Sequence, residues 1–147
     1  MNVDPDLNNN SVKKEAIIIE NDDGIFINND SYNYSSYDIR KGHIYRQYSV
    51  FDSLDVLPDA IEFMKVWDQP KKTDTFEFKI TNENETGIIV LSAGPGIMLK
   101  NDVIAIPPNK TYKFIACVFN VEPNLIGVVH DNRDEVNNDI KLETLAE

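Results

Sequence analysis

Cysteine occurs once in the 147 residues, at Cys117. A lone thiol excludes an intrachain disulfide and any multi-cysteine metal site, so stability must come from packing. Histidine is nearly as scarce. His43 and His130 stand far apart in no ligand motif, and the spacing predicts neither a metal centre nor a cofactor. Basic residues are in deficit, 14 against 25 acidic, for a net charge of −11. Nucleic-acid affinity draws on clustered Lys and Arg, and the sequence holds no such cluster. No apolar run approaches the ~18–20 residues of a membrane helix. Met1-Asn-Val-Asp-Pro-Asp6 is polar and acidic, without the pattern of a signal peptide.

What remains is globular: 41% hydrophobic and 10% aromatic residues, enough for one domain with a real core. The organising stretch is Thr75 to Val129, where short apolar runs alternate with turn signals. In Thr75–Asn82, Phe76, Phe78 and Ile80 fall on one face and Glu77, Lys79 and Thr81 on the other, the period of a half-buried strand. Ala93-Gly-Pro-Gly96 and Pro107-Pro-Asn-Lys110 are turns. Asn82 to Gly87 is a polar loop short enough to join adjacent antiparallel strands. Upstream, Ala16–Glu20 and Gly24–Asn28 are β-prone around an Asp-Gly hairpin turn. The acidic turn lacks the Gly and Glu of a calcium loop. These runs predict an antiparallel β-sandwich with one short helix.

That helix is expected over Leu57 to Trp67. Pro58 suits a first helical position, and Ala60, Phe63, Met64 and Trp67 make one apolar stripe. Residues 1–15 read as a mobile polar arm, 16–129 as the domain and 130–147 as an acidic tail with a short helix near Ile140 to Ala146. From Asp131 onward the tail holds six acidic and two basic residues.

Few residues point to chemistry. Cys117, within Phe114-Ile-Ala-Cys-Val-Phe119, reads as a small buried hydrophobe. Ala93-Gly-Pro-Gly96 is no phosphate loop, since no Lys-Ser/Thr follows. The sequons at Asn9, Asn29, Asn33, Asn84 and Asn109 follow from an Asn-rich composition. Tyr32, Tyr34, Tyr37, Tyr45 and Tyr48 crowd together and either stack on a ligand, anchor an interface or cover the sandwich edge. Nothing here makes an active site.

Five segments in order carry a resemblance: Gly42-His-Ile-Tyr-Arg46, Asp55-Val-Leu-Pro-Asp-Ala60, Thr75 to Asn82, Val90 to Gly96 with Ile97-Met-Leu99 behind it, and Ile106 to Thr111. Together, Ile39 to Val121 resembles a β-sandwich domain of structural proteins from tailed phages and large DNA viruses. The resemblance implies a jelly-roll-like fold and a non-enzymatic virion protein: a minor capsid, decoration or fibre-head module, made in the host cytoplasm. It implies contacts with other capsid or fibre subunits, often as a homotrimer, and no catalytic residue. An alternative is a head that binds a host glycan or receptor through the tyrosine region.

The strand Tyr112–Phe119 is apolar on both faces beyond Lys113, as is Ile88–Leu91. One face of each needs cover beyond a two-layer core. The interface candidates are therefore Ile89, Ile115 and Phe119, with Tyr45 and Tyr48 from the tyrosine cluster.

Overall fold

The computed structural model describes residues 17–21 and 23–131; the arm, the tail and its expected helix lie outside them. Among the described residues eleven strands form two sheets. They are β1 (Ile17–Asn21), β2 (Gly24–Asn28), β3 (Tyr32–Asn33), β4 (His43–Gln47), β5 (Ser53–Leu57) and β6 (Thr75–Asn82), then β7 (Ile89–Ala93), β8 (Ile97–Leu99), β9 (Ile104–Ile106), β10 (Thr111–Asn120) and β11 (Leu125–Asp131). The large sheet runs β1-β2-β4-β6-β10-β11-β8 and the small one β3-β5-β7-β9. The architecture is all-β in two layers, as the periodicity predicts.

The core lies between the sheets. Period two places Ile25, Ile27, Ile44, Phe78, Ile80, Phe114, Ala116, Val118, Ile126 and Val128 inward from the large sheet. Leu57, Ile89, Leu91 and Ile106 meet them from the small one. Phe78 stacks on Phe114 with centroids 5.3 Å apart, a pairing favoured beyond its area burial.

The sheets are mixed, not antiparallel. β1–β2, β6–β10, β10–β11 and β7–β9 are antiparallel. β2–β4, β4–β6, β3–β5, β5–β7 and β8–β11 are parallel. Successive strands cross between the layers, so strands of like direction become neighbours within each. The loop after Asn82 is one such crossing, from β6 in the large sheet to β7 in the small one, not a hairpin. The turn before β8 crosses back, and there Gly96 takes φ +83° with Ala60 packed where a Cβ would project.

The helical content also departs from expectation. Leu57 ends β5, and Asp59, not Pro58, starts the helix: its carboxylate accepts from Glu62 N at 2.8 Å. The α-helical part is only Ala60–Phe63 (α2), continued as a 3-10 turn over Met64–Val66. Ala60, Phe63 and Met64 are buried as the stripe predicts, and Trp67 packs against the core while donating Nε1–H to Thr75 O. A second helix, α1 (Ser36–Arg40), occupies a stretch that reads as loop, edge strand or bend. A Ser35–Asp38 capping box starts it.

Glu62 joins the two helices. Its Oε2 accepts from Ser36 N at 3.1 Å and Ser36 Oγ at 2.8 Å, and its Oε1 faces Lys65 Nζ at 3.0 Å. The Ser36 backbone bond, then Lys65, holds this carboxyl down at about 2 from its ordinary 4.5. A folded-state value below the unfolded one gives stability that is present above pH ~4.5 and lost as pH falls toward ~2. Wild type should therefore lose melting temperature across that window more steeply than Glu62→Gln. Superimposable acid limbs would show that the contact contributes nothing.

Candidate functional site

The densest polar constellation lies in the core. On β4, Arg46 shares the inward parity of Ile44; on β5, Ser53 and Asp55 share that of Leu57. The two strands belong to different sheets, so their inward polar groups meet across the layers. Arg46 and Asp55 are fully buried. Arg46 Nε donates to Asp55 Oδ2 at 2.7 Å and Nη2 to Asp55 Oδ1 at 2.9 Å, a bidentate fork. Nη2 also donates to Ser53 Oγ, and Nη1 donates to the carbonyls of Ile27 and Gln47. All five guanidinium donors are thus used.

The carboxylate is as fully engaged. Tyr34 donates its hydroxyl to Asp55 Oδ2 at 2.6 Å, and Ser53 Oγ lies 2.7 Å from Oδ1. The rings of Tyr32 and Tyr48 lie against the guanidinium, with centroids 5.6 and 5.7 Å from Cζ. Burial works against the Arg46 charge, but the bonds and charge of Asp55 outweigh it and raise its pKa further. Burial, then Asp55, pushes the Tyr34 phenol well above its ordinary range; burial, then Asp38, does the same for Tyr32. With every Arg46 donor and both Asp55 oxygens committed inside the protein, the ion pair has nothing left to offer a substrate. It is a bolt between two sheets.

Asn82 makes a second internal tie. It is fully buried, and its Nδ2 reaches the carbonyls of Gly87 (2.9 Å), Ile106 (3.0 Å) and Pro107 (3.2 Å) while Oδ1 accepts from Asn84 N. The neighbouring loop is pinned as closely. Ser49 N and Oγ bond Asp30, Ile88 N bonds Asp52, and a Cβ on Gly87 would collide with Phe51 O. From this fixed base the Phe51 side chain projects, 73% exposed.

The predicted interface residues do not converge. Ile89 is fully buried between the sheets. Its run is apolar on both faces, and Ile89 sits on the core parity, so the residues left outward are Ile88 and Val90. Tyr48 is buried against Arg46, with its hydroxyl unpartnered within the described residues. Tyr45, Ile115 and Phe119 do share the outer face of the large sheet. Ile115 is half-buried beside Val129, and Phe119 is exposed, its ring covering Gly127. Cys117 lies there too, half-buried and not in the core, because the parity of β10 turns it outward.

The tyrosines divide between the edges and the core: Tyr32 lies on β3, an edge strand of the small sheet, and Tyr37 donates its hydroxyl to Glu20 on β1, an edge strand of the large one. Three surround Arg46, and Tyr45 is the middle ring of a stack, 4.2 Å from Phe26 and 4.1 Å from His43. Tyr45 therefore spends both π faces on its neighbours and has none for a sugar ring. His43 Nε2 lies 2.7 Å from Thr81 Oγ1, and burial, then Lys79, lowers its pKa.

Sequence reasoning caught the outer face of the small sheet only at Ile88–Leu91 and missed what β5 and β9 add to it. There Leu54, Val90 and Ala105 stand abreast on β5, β7 and β9, beside Val56 and Ser92. Leu54 is 61% exposed, and none of the five carries a charge. The signal lay in Ser53–Leu57, whose period of two is hidden by the proline behind it.

Among the described residues, no group of three or more His, Cys, Asp or Glu could hold a metal ion, and no helix is long and apolar enough to cross a membrane. Compared with known proteins, the chain matches no family model, no curated protein and no solved structure.

Proposed function

We propose that this chain is a non-catalytic assembly module that acts through protein–protein contacts. One observation carries the reading: the outer face of the small sheet is uncharged and apolar at Leu54, Val56, Val90 and Ala105, broken only by Asn33 and Ser92, on a chain of net charge −11. Such a face is where a strongly acidic protein meets another protein with least repulsion and most apolar burial. Phe51, exposed on a rigid base just ahead of β5, has the character of an interface anchor. The internal bolt supports the same reading, because the richest polar chemistry of the described residues is already consumed by the fold.

The finer reading, a virion component contacting capsid or fibre subunits, rests on the sequence resemblance, and so does a jelly-roll-like path. A glycan-binding head finds less support, since Tyr34 and Tyr48 are buried and Tyr45 is stacked on both sides.

The test uses Leu54→Glu and Phe51→Glu in the full chain. If the reading holds, the protein co-sediments with particles of the virus encoding it at fixed copy number, and both variants are excluded at unchanged melting temperature. Absence from the particle would overturn the virion reading. Normal incorporation of both variants would overturn the assignment of the face.

A further inference from the structure

A two-layer fold with open sheets has four edges, and three of them are blunted. β3 has two residues, while β8 and β9 have three each. Pro107 and Pro108 close the last of these. Short edge strands and prolines are the usual defences against pairing with another chain. The fourth edge, β1, has neither. Its five residues, Ile17–Asn21, contain no proline and no basic residue.

The strand is apolar on both faces. Ile19 stands opposite Phe26 on the outer face, and Ile18 stands opposite Ile27 on the inner one. Ile27 is fully buried, yet Ile18 beside it is 44% exposed, and Ile17 and Ile19 are 62% and 58% exposed. The layers are of unequal width, seven strands against four, and β1 is the outermost strand of the wider one. The closing pair of a two-residue hairpin, here Asn21 and Gly24, exchanges its own hydrogen bonds. Alternation then turns the N–H and C=O of Ile18 and Glu20 to the open edge.

We propose that β1 pairs antiparallel with β1 of a second copy, joining two large sheets about a two-fold axis through Ile18. The strand is self-complementary in that arrangement. Ile18 faces Ile18 on the inner side, and Ile17 faces Ile19 on the outer, so every apolar residue meets an apolar one. The isologous contact closes on itself and leaves only the blunted edges, so it recruits no third copy. The charges also suit it. Glu20 is held by its own protomer, 2.8 Å from Tyr37 Oη and 3.4 Å from Lys41 Nζ. The two Asp23 turns end up ~34 Å apart at ~3.4 Å per residue, well beyond the ~8 Å screening length. A parallel pairing would set the acidic groups side by side.

This deepens the assembly reading by naming one partner, and it uses a different surface, so loss of one leaves the other standing. Five residues a side fall short of the ~1,000 Å² of a stable interface, so the dimer dissociates on dilution.

Sedimentation velocity of the full chain from ~1 µM to ~1 mM tests the proposal together with Ile18→Lys and Ile18→Pro. The proline removes only the outward N–H. Wild type should show a reversible monomer–dimer equilibrium, weakened at least ~10-fold in both variants at unchanged melting temperature. Exchange of the Ile18 and Glu20 amides should slow as wild-type concentration rises. A monomer throughout, a trimer, fibrils, or a dimer indifferent to Ile18→Lys would each overturn it.

Discussion

Arg46→Ala is expected to destabilise the protein by about 3–5 kcal/mol, because it strands the Asp55 carboxylate in the core. At roughly 2–8 °C per kcal/mol, the melting temperature should fall by ~10 °C or more. The energetics of the pair are asymmetric. Desolvating Arg46 and Asp55 cost as much as their attraction returns, so the intact pair adds little over a well-packed apolar one. Removing Arg46 leaves the Asp55 carboxylate buried without its counter-charge, and the hydroxyls of Tyr34 and Ser53 offset only part of that cost. The double variant Arg46→Met with Asp55→Leu should accordingly recover much of what Arg46→Ala loses, a coupling visible in a double-mutant cycle. Equal losses in single and double variants, measured by thermal unfolding, would mean the bolt contributes only packing volume.

Asn82→Asp is expected to be the other severe change, despite near-identical shape. The Asn82 amide donates toward three carbonyls in the connection between the sheets. A carboxylate cannot donate and would face their negative ends while buried, a loss of about 3 kcal/mol or more. Its sign with pH is specific. Those surroundings raise the introduced carboxyl's folded-state pKa above its unfolded value. The protonated form's stability is therefore present below an unfolded pKa of ~3.9 and lost as pH rises. Asn82→Asp should thus sit below Asn82→Ala in melting temperature at pH ~7 and approach it toward pH ~4. A pH-independent gap between the variants would place the amide's role in shape alone.

How far the sequence reveals this molecule depends on how local each signal is. Thr75–Asn82 forms a strand with the bounds its alternation predicts, and Asn21 closes a hairpin on Gly24 because an Asp-Gly turn needs no distant information. The alternation of Tyr112–Phe119 was equally legible, but not its direction: Phe114, Ala116 and Val118 point in, while Cys117, read as buried, turns out with Ile115. The parallel pairs were not legible, since the register of β4 on β6 is fixed by residues more than thirty positions apart.

Pro58 was misleading in a definite way. It occurs at helix starts but follows strands equally well, and here it ends β5, with Asp59 capping the helix. The bolt left only a faint trace. Arg46 shares parity with Ile44, and Asp55 with Leu57, and a charge on an apolar parity marks either a strand end or a buried pair. Only the meeting of the two sheets decides which. Ile89 shows the converse: its run gives the alternation but not which parity faces the core.

The central claim is that the polar cluster around Arg46 is a closed internal fastening and not a binding site, which leaves function to the surfaces. NMR of the Arg46 guanidinium tests this most directly. The account predicts resolved, slowly exchanging Nε and Nη protons and an observable Tyr34 hydroxyl proton. It also predicts that none of them shifts when small carboxylates or phosphate are added. Averaged signals that exchange rapidly with water, or that move on adding such anions, would contradict it and make Arg46 a ligand-binding residue.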